Sequence, residues 1–320
     1  MSGVRQFIDQ NYHHFNSGAL ADCVRSLEGF LAEGGKLIVT LAGAMSTAEI
    51  GRSLAPAIRA GFVHAISCTG ANLEEDLFNL IAHDSYEKID WRNLTAEDDV
   101  NLQKEGLNRV TDTCIPESEA IRVVESILLQ QWLKAEKNSE THPPHHYLFD
   151  VINSDDIEFQ ANPEDSWLIA AQQMQIPIFT PAWADSTLGN IFSARLIDGT
   201  ISSDNIITTD LQRMGDIASW YHEQGSSLGI LQVGGGVAGD FPICVVPMLR
   251  QDLGDEVELW SWFAQISEST PSYGGYSGAP PNEKISWEKL GINTPRFVIE
   301  SDATIVLPLI LCYLLEGLKN

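Results

Sequence analysis

The stretch LQVGGGVAGD, Leu231 to Asp240, closes the apolar run LGILQV and leads into FPICVVPMLRQD. It reads as strand, glycine turn, then helix. Gly234, Gly236 and Gly239 supply G-x-G-x-x-G. Without Cβ atoms, backbone N–H groups at such a turn can approach phosphate oxygens, and a helix N-terminus adds positive potential. The same glycines also suit a merely crowded turn. A dinucleotide fingerprint ordinarily sits in the first βα turn, whereas this one comes late in the chain. Asp240 reads equally as a plain N-cap, and Pro242 falls near the first helical position. The stretch fixes one strand–turn–helix unit and leaves its ligand open.

Working outward, the same unit recurs. KLIVTLAG (Lys36 to Gly43) reads as a buried strand, followed by a helix in which Ser46 and Thr47 are candidate N-caps and Glu49 lies in the first turn. VHAISCTG (Val63 to Gly70) is a second strand, with ANLEEDLFNLIAHD as its helix. IPIFTPAW (Ile176 to Trp183) and LGILQV (Leu228 to Val233) are a third and fourth. EVELWSWFAQIS (Glu256 to Ser267) and RFVIES (Arg296 to Ser301) are a fifth and sixth. Such alternation predicts a mostly parallel sheet covered by helices on both faces. Right-handed crossovers then place every strand's C-terminal end on one rim, where ligands of these sheets bind. AGAMST, CTGANLEED, WADSTLGN, GGGVAGD and ESDAT all fall on that rim.

The expected organisation is a single domain over residues 1–320. It has an N-terminal helical segment at 1–30 and a helical and loop insertion at 84–165. Within the insertion ESEAIRVVESILLQQWLKAE reads as helix and THPPHHYLFD as loop. ATIVLPLILCYLL (Ala303 to Leu315) reads as a buried C-terminal helix, too short to span a bilayer. The formal charge of −25 disfavours nucleic acid and anionic membrane as partners. It fits either simple solubility or attraction of a cationic ligand. Five scattered cysteines with no C-x-x-C pair fit buried thiols in a reducing cytoplasm.

SGAPPNEKISWEKLG (Ser277 to Gly291) contains Trp287 and Lys289. Lys289 reads either as a surface lysine or, in a dry pocket, as a Schiff-base former. His142, His145 and His146 hint at metal, but no carboxylate/His helix motif accompanies them, and a solvated loop is the simpler reading. No metal is expected. H-E-x-x-H is missing, and the G-x-S-x-G match at Gly225 to Gly229 leads into a strand instead of following one as a nucleophile elbow does, so ordinary serine or zinc hydrolysis lacks support.

TLAGAMSTAEIG, SCTGANLEEDL, PAWADSTLGNI, VGGGVAGD, SGAPPNEKISWEKL and ESDATIVLPL stand in one order. Together they resemble the deoxyhypusine synthase family, in its bacterial deoxyhypusine synthase-like branch. The resemblance runs from about Phe30 to Leu315. It implies a Rossmann-like, doubly wound NAD-binding fold and a cytoplasmic homotetramer with active sites between subunits. It also implies transfer of an aminobutyl group from a spermidine-like polyamine, through a lysine imine, to an amine acceptor. That acceptor is a protein lysine in some members and putrescine in homospermidine synthases.

Carried onto this chain, the resemblance makes Lys289 the imine former and places Trp287, Glu283, Glu75 and Asp240 around the polyamine. Ser46, Thr69, Gly70, Glu75, Asp185, Gly235, Asp302 and Ala303 fall on nucleotide-contacting positions. Three departures bear on specificity. Asp240 stands where protein-modifying members carry histidine, Asn190 replaces an aspartate, and Tyr273 and Tyr276 replace acidic-loop aspartates. The lysine and nucleotide rim are thus kept while the polyamine pocket changes. The expectation is homospermidine synthase-like chemistry, with true deoxyhypusine synthase activity or a catalytically altered NAD- and polyamine-binding protein as alternatives.

Overall fold

A computed structural model describes residues 3–225, 227–271 and 274–318. Tyr273 lies outside the described residues. The six expected strands all form: β1 Lys36–Leu41, β2 Ala65–Cys68, β3 Ile178–Phe179, β4 Leu228–Val233, β5 Trp262–Ile266 and β6 Arg296–Ile299. They make one sheet in the order β3-β2-β1-β4-β5-β6, every neighbouring pair parallel. This is the doubly wound order, whose direction of winding reverses between β1 and β4.

Alternation of side chains sends β1, β4 and β5 into two cores. Leu37, Val39 and Leu41 of β1, Leu231 and Val233 of β4, and Trp262, Ala264 and Ile266 of β5 enter the larger core. There they meet the helices Phe15–Ala32, Gly51–Arg59 and Ala303–Gly317. Ile38, Ile230 and Phe263 point the opposite way, into a smaller core with the helices Asp210–Gln224 and Gly236–Ile243. Burial on both faces explains why these strands read as unbroken apolar runs instead of alternating ones.

Several boundaries differ from the sequence expectation. Residues 43–50 form turns, and the first crossover helix starts at Gly51 after Ile50, so neither Ser46 nor Thr47 caps it. The helix after β4 starts at Gly236, because the glycine turn itself curls into helix. Asp240 therefore sits inside that helix and not at its N-cap, and Pro242 lies near its end. Residues 256–261 remain outside β5. The THPPHHYLFD segment is mostly helix, Pro144–Ile152, with Pro144 at a position where a missing N–H costs nothing. The insertion also holds a small antiparallel sheet of Glu87–Lys88, Thr113–Pro116 and Leu107–Val110. Among the described residues no helix is long and apolar enough to cross a membrane.

Candidate active site

Lys289 follows the short helix Glu283–Ser286. Its main chain is held from both sides. The Lys289 N–H donates to the Lys284 carbonyl at 3.0 Å, and its own carbonyl accepts from the Trp260 N–H at 3.2 Å. Trp260 is fully buried; its indole donates to the Ile243 carbonyl at 3.3 Å and packs edge-on against Tyr221. The lysine thus projects from backbone tied to the smaller core. Only 8% of the residue is exposed.

The Lys289 Nζ donates to Asp240 Oδ1 at 3.3 Å. That oxygen also accepts from the Cys244 thiol at 3.4 Å, and burial pushes the thiol up, keeping it neutral. The Tyr276 ring centroid lies 5.8 Å from Lys289 Nζ. The Tyr276 hydroxyl donates to buried Gln232 Oε1 at 3.0 Å, and burial raises its pKa. Gln232 in turn donates to the Gly234 carbonyl at 3.0 Å. A chain of polar contacts therefore links the glycine turn to the wall of the lysine pocket. Asp240, Tyr276, Glu283, Trp287 and Lys289 line one cleft of about 650 Å³. Trp287 is 64% exposed and forms its outer lip.

The glycine turn has an internal reason to exist. A Cβ on Gly235 would lie 2.5 Å from the Ser277 Cα, and one on Gly234 would lie 2.8 Å from the Ala42 Cβ. Close packing of the Ser277 loop accounts for Gly235, and the approach of Ala42 together with a φ of +79° accounts for Gly234. By contrast Gly43, in the first βα turn, has φ +60° and no neighbour where its Cβ would sit. Gly236 is open in the same way, with φ +63°, so both the first turn and the stretch that carries the pattern present a glycine whose Cβ space is free.

The other candidate residues gather at the ends of β1, β2 and β6. Thr69 caps the helix Gly70–Ala82, accepting from the Asn72 N–H at 3.2 Å and donating to the Gly43 carbonyl at 2.7 Å. Fully buried Asn72 ties the turn together, donating to the carbonyls of Leu41, Ala42 and Gly43 at 3.2, 3.1 and 2.9 Å. Its Oδ1 accepts from the Ser46 N–H at 3.0 Å. The Ser46 hydroxyl is spent inside the protein, donating to the Asn72 carbonyl and accepting from the Trp167 indole. Gly70 passes close to Ser186. Asp302 caps the helix Ala303–Gly317, accepting from the Thr304 N–H and hydroxyl at 2.7 and 2.8 Å. Asp185 and Asn190 are exposed on the loop and helix after β3, and Asn190 donates to the Ala184 and Ser186 carbonyls.

Three consecutive carboxylates follow Thr69, and the structure separates their duties. Glu74 accepts from the Thr187 and Leu188 N–H groups, each at 2.8 Å, and so caps the next helix. Asp76 accepts from the Ser166 hydroxyl at 2.5 Å and the Leu168 N–H at 3.2 Å; burial moves its pKa to about 6. Glu75, 7% exposed, keeps a buried Oε2 with no partner among the described residues. Burial, with the Glu74 charge second, pushes its pKa to about 8. Buried polar atoms without partners mark places where a ligand can complete the bonding. Thr47 Oγ1, Asn79 Oδ1 and the Tyr86 hydroxyl are in the same condition, and these three residues line a cleft of about 1070 Å³ together with Asp302.

The structure thus unites Lys289, Asp240, Glu283 and Trp287, and it groups the nucleotide candidates Ser46, Thr69 and Glu75 around the Asn72 turn. No residue lines both clefts. Sequence reading passed over Asn72, Asn79, Tyr86 and Lys284. Only Lys284, an amine one helical turn from Trp287, carried a recognisable chemical signal. Among the described residues no group of three His, Cys, Asp or Glu side chains is placed to hold a metal ion; His142 and His146 stack their rings at 4.0 Å.

Comparison with known proteins gives a consistent result. The family model for deoxyhypusine synthase matches residues 8–314. A deoxyhypusine synthase-like protein of Nostoc punctiforme is 32% identical, over 98% of this chain and 80% of the relative. An Archaeoglobus fulgidus protein named "Probable deoxyhypusine synthase 2" is 30% identical, over 89% of this chain and 88% of its own length. Among solved structures, an Entamoeba histolytica protein provisionally described as a deoxyhypusine synthase superposes with a TM-score of 0.60. That match spans 96% of this chain and 91% of the other at 13% identity, a likeness of fold.

Proposed function

Since this chain belongs to the deoxyhypusine synthase family, we propose that it is an NAD-dependent transferase moving an aminobutyl group from a spermidine-like polyamine to a small amine acceptor, through an imine on Lys289. The observation that carries this reading is the buried Lys289 amine 3.3 Å from Asp240, in a cleft that also presents Glu283, Trp287 and Tyr276.

A polyamine offers ammonium groups separated by methylene chains. Asp240 and Glu283 supply carboxylates for the ammoniums, and Trp287 and Tyr276 supply apolar and π surface for what lies between. Lys289 must be neutral to attack carbon, and Asp240 is placed to take its proton. The fixed main chain of Lys289 lowers the entropic cost of bringing the amine to the substrate.

The cleft bearing Thr47, Asn79, Tyr86 and Asp302, with Glu75 behind it, suits NAD. Its unpartnered donors and acceptors match the hydroxyl and amide groups of a dinucleotide, and Gly43 leaves the first turn open. When bound there, NAD would supply reversible hydride-transfer chemistry for the carbon beside the polyamine's secondary amine. Ser46, Thr69, Gly70, Asp185, Gly235, Asp302 and Ala303 are the proposed nucleotide-side residues. Because the two clefts share no lining residue, we also infer that a complete site forms between subunits of a homo-oligomer, with a tetramer as the family expectation.

Incubation with NAD and spermidine tests the reading. Diaminopropane is expected in solution, and borohydride is expected to fix a label on Lys289. Added putrescine should yield homospermidine. Yield only with a lysine-bearing translation factor would instead assign protein modification. Turnover that survives in Lys289→Ala would sink the imine role.

A further inference from the structure

Lys284 and Lys289 are the two lysines among the described residues that fold into the interior. Lys284 is 3% exposed, and its Nζ has no hydrogen-bond partner among the described residues. It lies 5.0 Å from the ring centroids of both Phe263 and Tyr276. Lys289 Nζ lies 5.8 Å from the same Tyr276 ring. Two amines thus share one aromatic ring, and their backbones are joined by the Lys289 N–H to Lys284 carbonyl bond at 3.0 Å.

Burying an ammonium without a carboxylate is costly, and two ring faces offset only part of that cost. A methionine or leucine would fill the same space without it. The neighbourhood otherwise favours charge on Lys289. Asp240 faces it from the helix Gly236–Ile243, Glu283 stands on Lys284's own helix, and Asp252 lines the cleft. Glu288 is partly occupied by Arg250 at 3.4 Å. The Tyr276 hydroxyl and Cys244 thiol are held neutral by burial. With Arg250 engaged on Glu288, Lys284 is the cation among these groups that shares the Tyr276 ring with Lys289.

We propose that Lys284 is a positioning residue for the transfer reaction: its charge, set beside the shared Tyr276 ring, disfavours a second charge on Lys289 and so enlarges the fraction of neutral, nucleophilic Lys289 near neutral pH. Burial, with Lys289's charge second, moves Lys284 itself to about 8. Its influence is therefore present below about pH 8 and fades above. This assignment rests on Lys289 being the imine former, but its test does not.

Competitive acetylation with trace acetic anhydride, read by mass spectrometry, reports the free-amine fraction of Lys289 without substrate or NAD. Lys284→Met is expected to lower Lys289 labelling at pH 7 by roughly three- to tenfold, because removing a neighbouring like charge favours the ammonium. Labelling at pH 10 should stay unchanged. Lys284→Arg, which keeps its charge at both pH values, should restore labelling at pH 7. Lys284→Gln gives the same comparison should the methionine variant unfold. Wild-type labelling at pH 7 in a folded neutral variant, or no rescue by arginine, overturns the proposal. Failure of borohydride trapping in the wild-type protein would instead sink the parent reading and leave the labelling result standing.

Discussion

Lys289 and Asp240 form a half-buried ion pair at 3.3 Å, with the lysine side chain 10% exposed and the aspartate 47% exposed. The asymmetry matters. Asp240 is open enough to exchange its partner for an incoming ammonium, while Lys289 has little water to turn to once the exchange happens. Under the proposed reading, a polyamine ammonium binding at Asp240 would displace Lys289 Nζ from that carboxylate.

Asp240→Asn removes the carboxylate but keeps the shape. The expected outcome is a KM for the polyamine raised about tenfold or more, as for loss of a charged hydrogen bond worth roughly 1.5–3 kcal/mol. Steady-state kinetics with spermidine checks this. An unchanged KM would place the ammonium elsewhere.

Glu75 makes a prediction about stability and pH. Its folded-state pKa, about 8, lies above the ordinary glutamate value, so between those pH values the folded protein binds more protons than the unfolded one. Its contribution to stability is therefore full at low pH and lost as pH climbs towards 8. Glu75→Gln should gain stability relative to wild type between pH 5 and pH 8, by on the order of 4 kcal/mol at most. Parallel denaturant titrations at the two pH values decide it. The same substitution should weaken NAD binding, measured by calorimetry at pH 7.

Asn72 tests the architecture of the turn. Its amide joins the end of β1 to the helix Gly70–Ala82 through contacts with Leu41, Ala42, Gly43 and Ser46. Asn72→Ala leaves these backbone groups unsatisfied in a buried setting. A loss of about 3 kcal/mol or more is expected in urea unfolding.

Gly235→Ala probes the contact with the Ser277 loop. The new Cβ would meet the Ser277 backbone at 2.5 Å, which backbone cannot relieve by a rotamer change. Displacement of the loop should cost roughly 1–3 kcal/mol of stability. It should also move Tyr276, so borohydride trapping at Lys289 should fall further than stability alone predicts.

Much of the architecture could be read from one chain. β1, β4 and β5 are buried on both faces, so their apolar runs stand out against the glycines and caps that end them. Boundaries were harder wherever a turn residue also served a helix. Gly236 to Asp240 have helical geometry that their composition conceals, so Asp240 moved from a supposed cap to an interior position facing Lys289. The Pro143–Pro144 pair suggested a loop but starts a helix, because proline at that point lacks only an N–H that would have gone unused. Motif order placed Lys289, Trp287 and Glu283 near one another. It could not divide labour among Glu74, Glu75 and Asp76, since that depends on which partners the neighbouring helices bring. Nor could it expose Lys284, whose importance lies in the Tyr276 and Phe263 rings that meet it from other elements.

The two-sided clamp on the Lys289 main chain has a consequence for how such a protein can diversify. The main chain of the reactive arm, Lys289, is tied to Trp260, whose indole is buried in the smaller core, whereas Trp287 is exposed and Tyr276 stands on a separate loop segment. Substitutions along that outer wall can reshape which amines are admitted while leaving the arm's aim untouched. New substrate preferences would then arise by refitting the doorway and not by rebuilding the machine behind it.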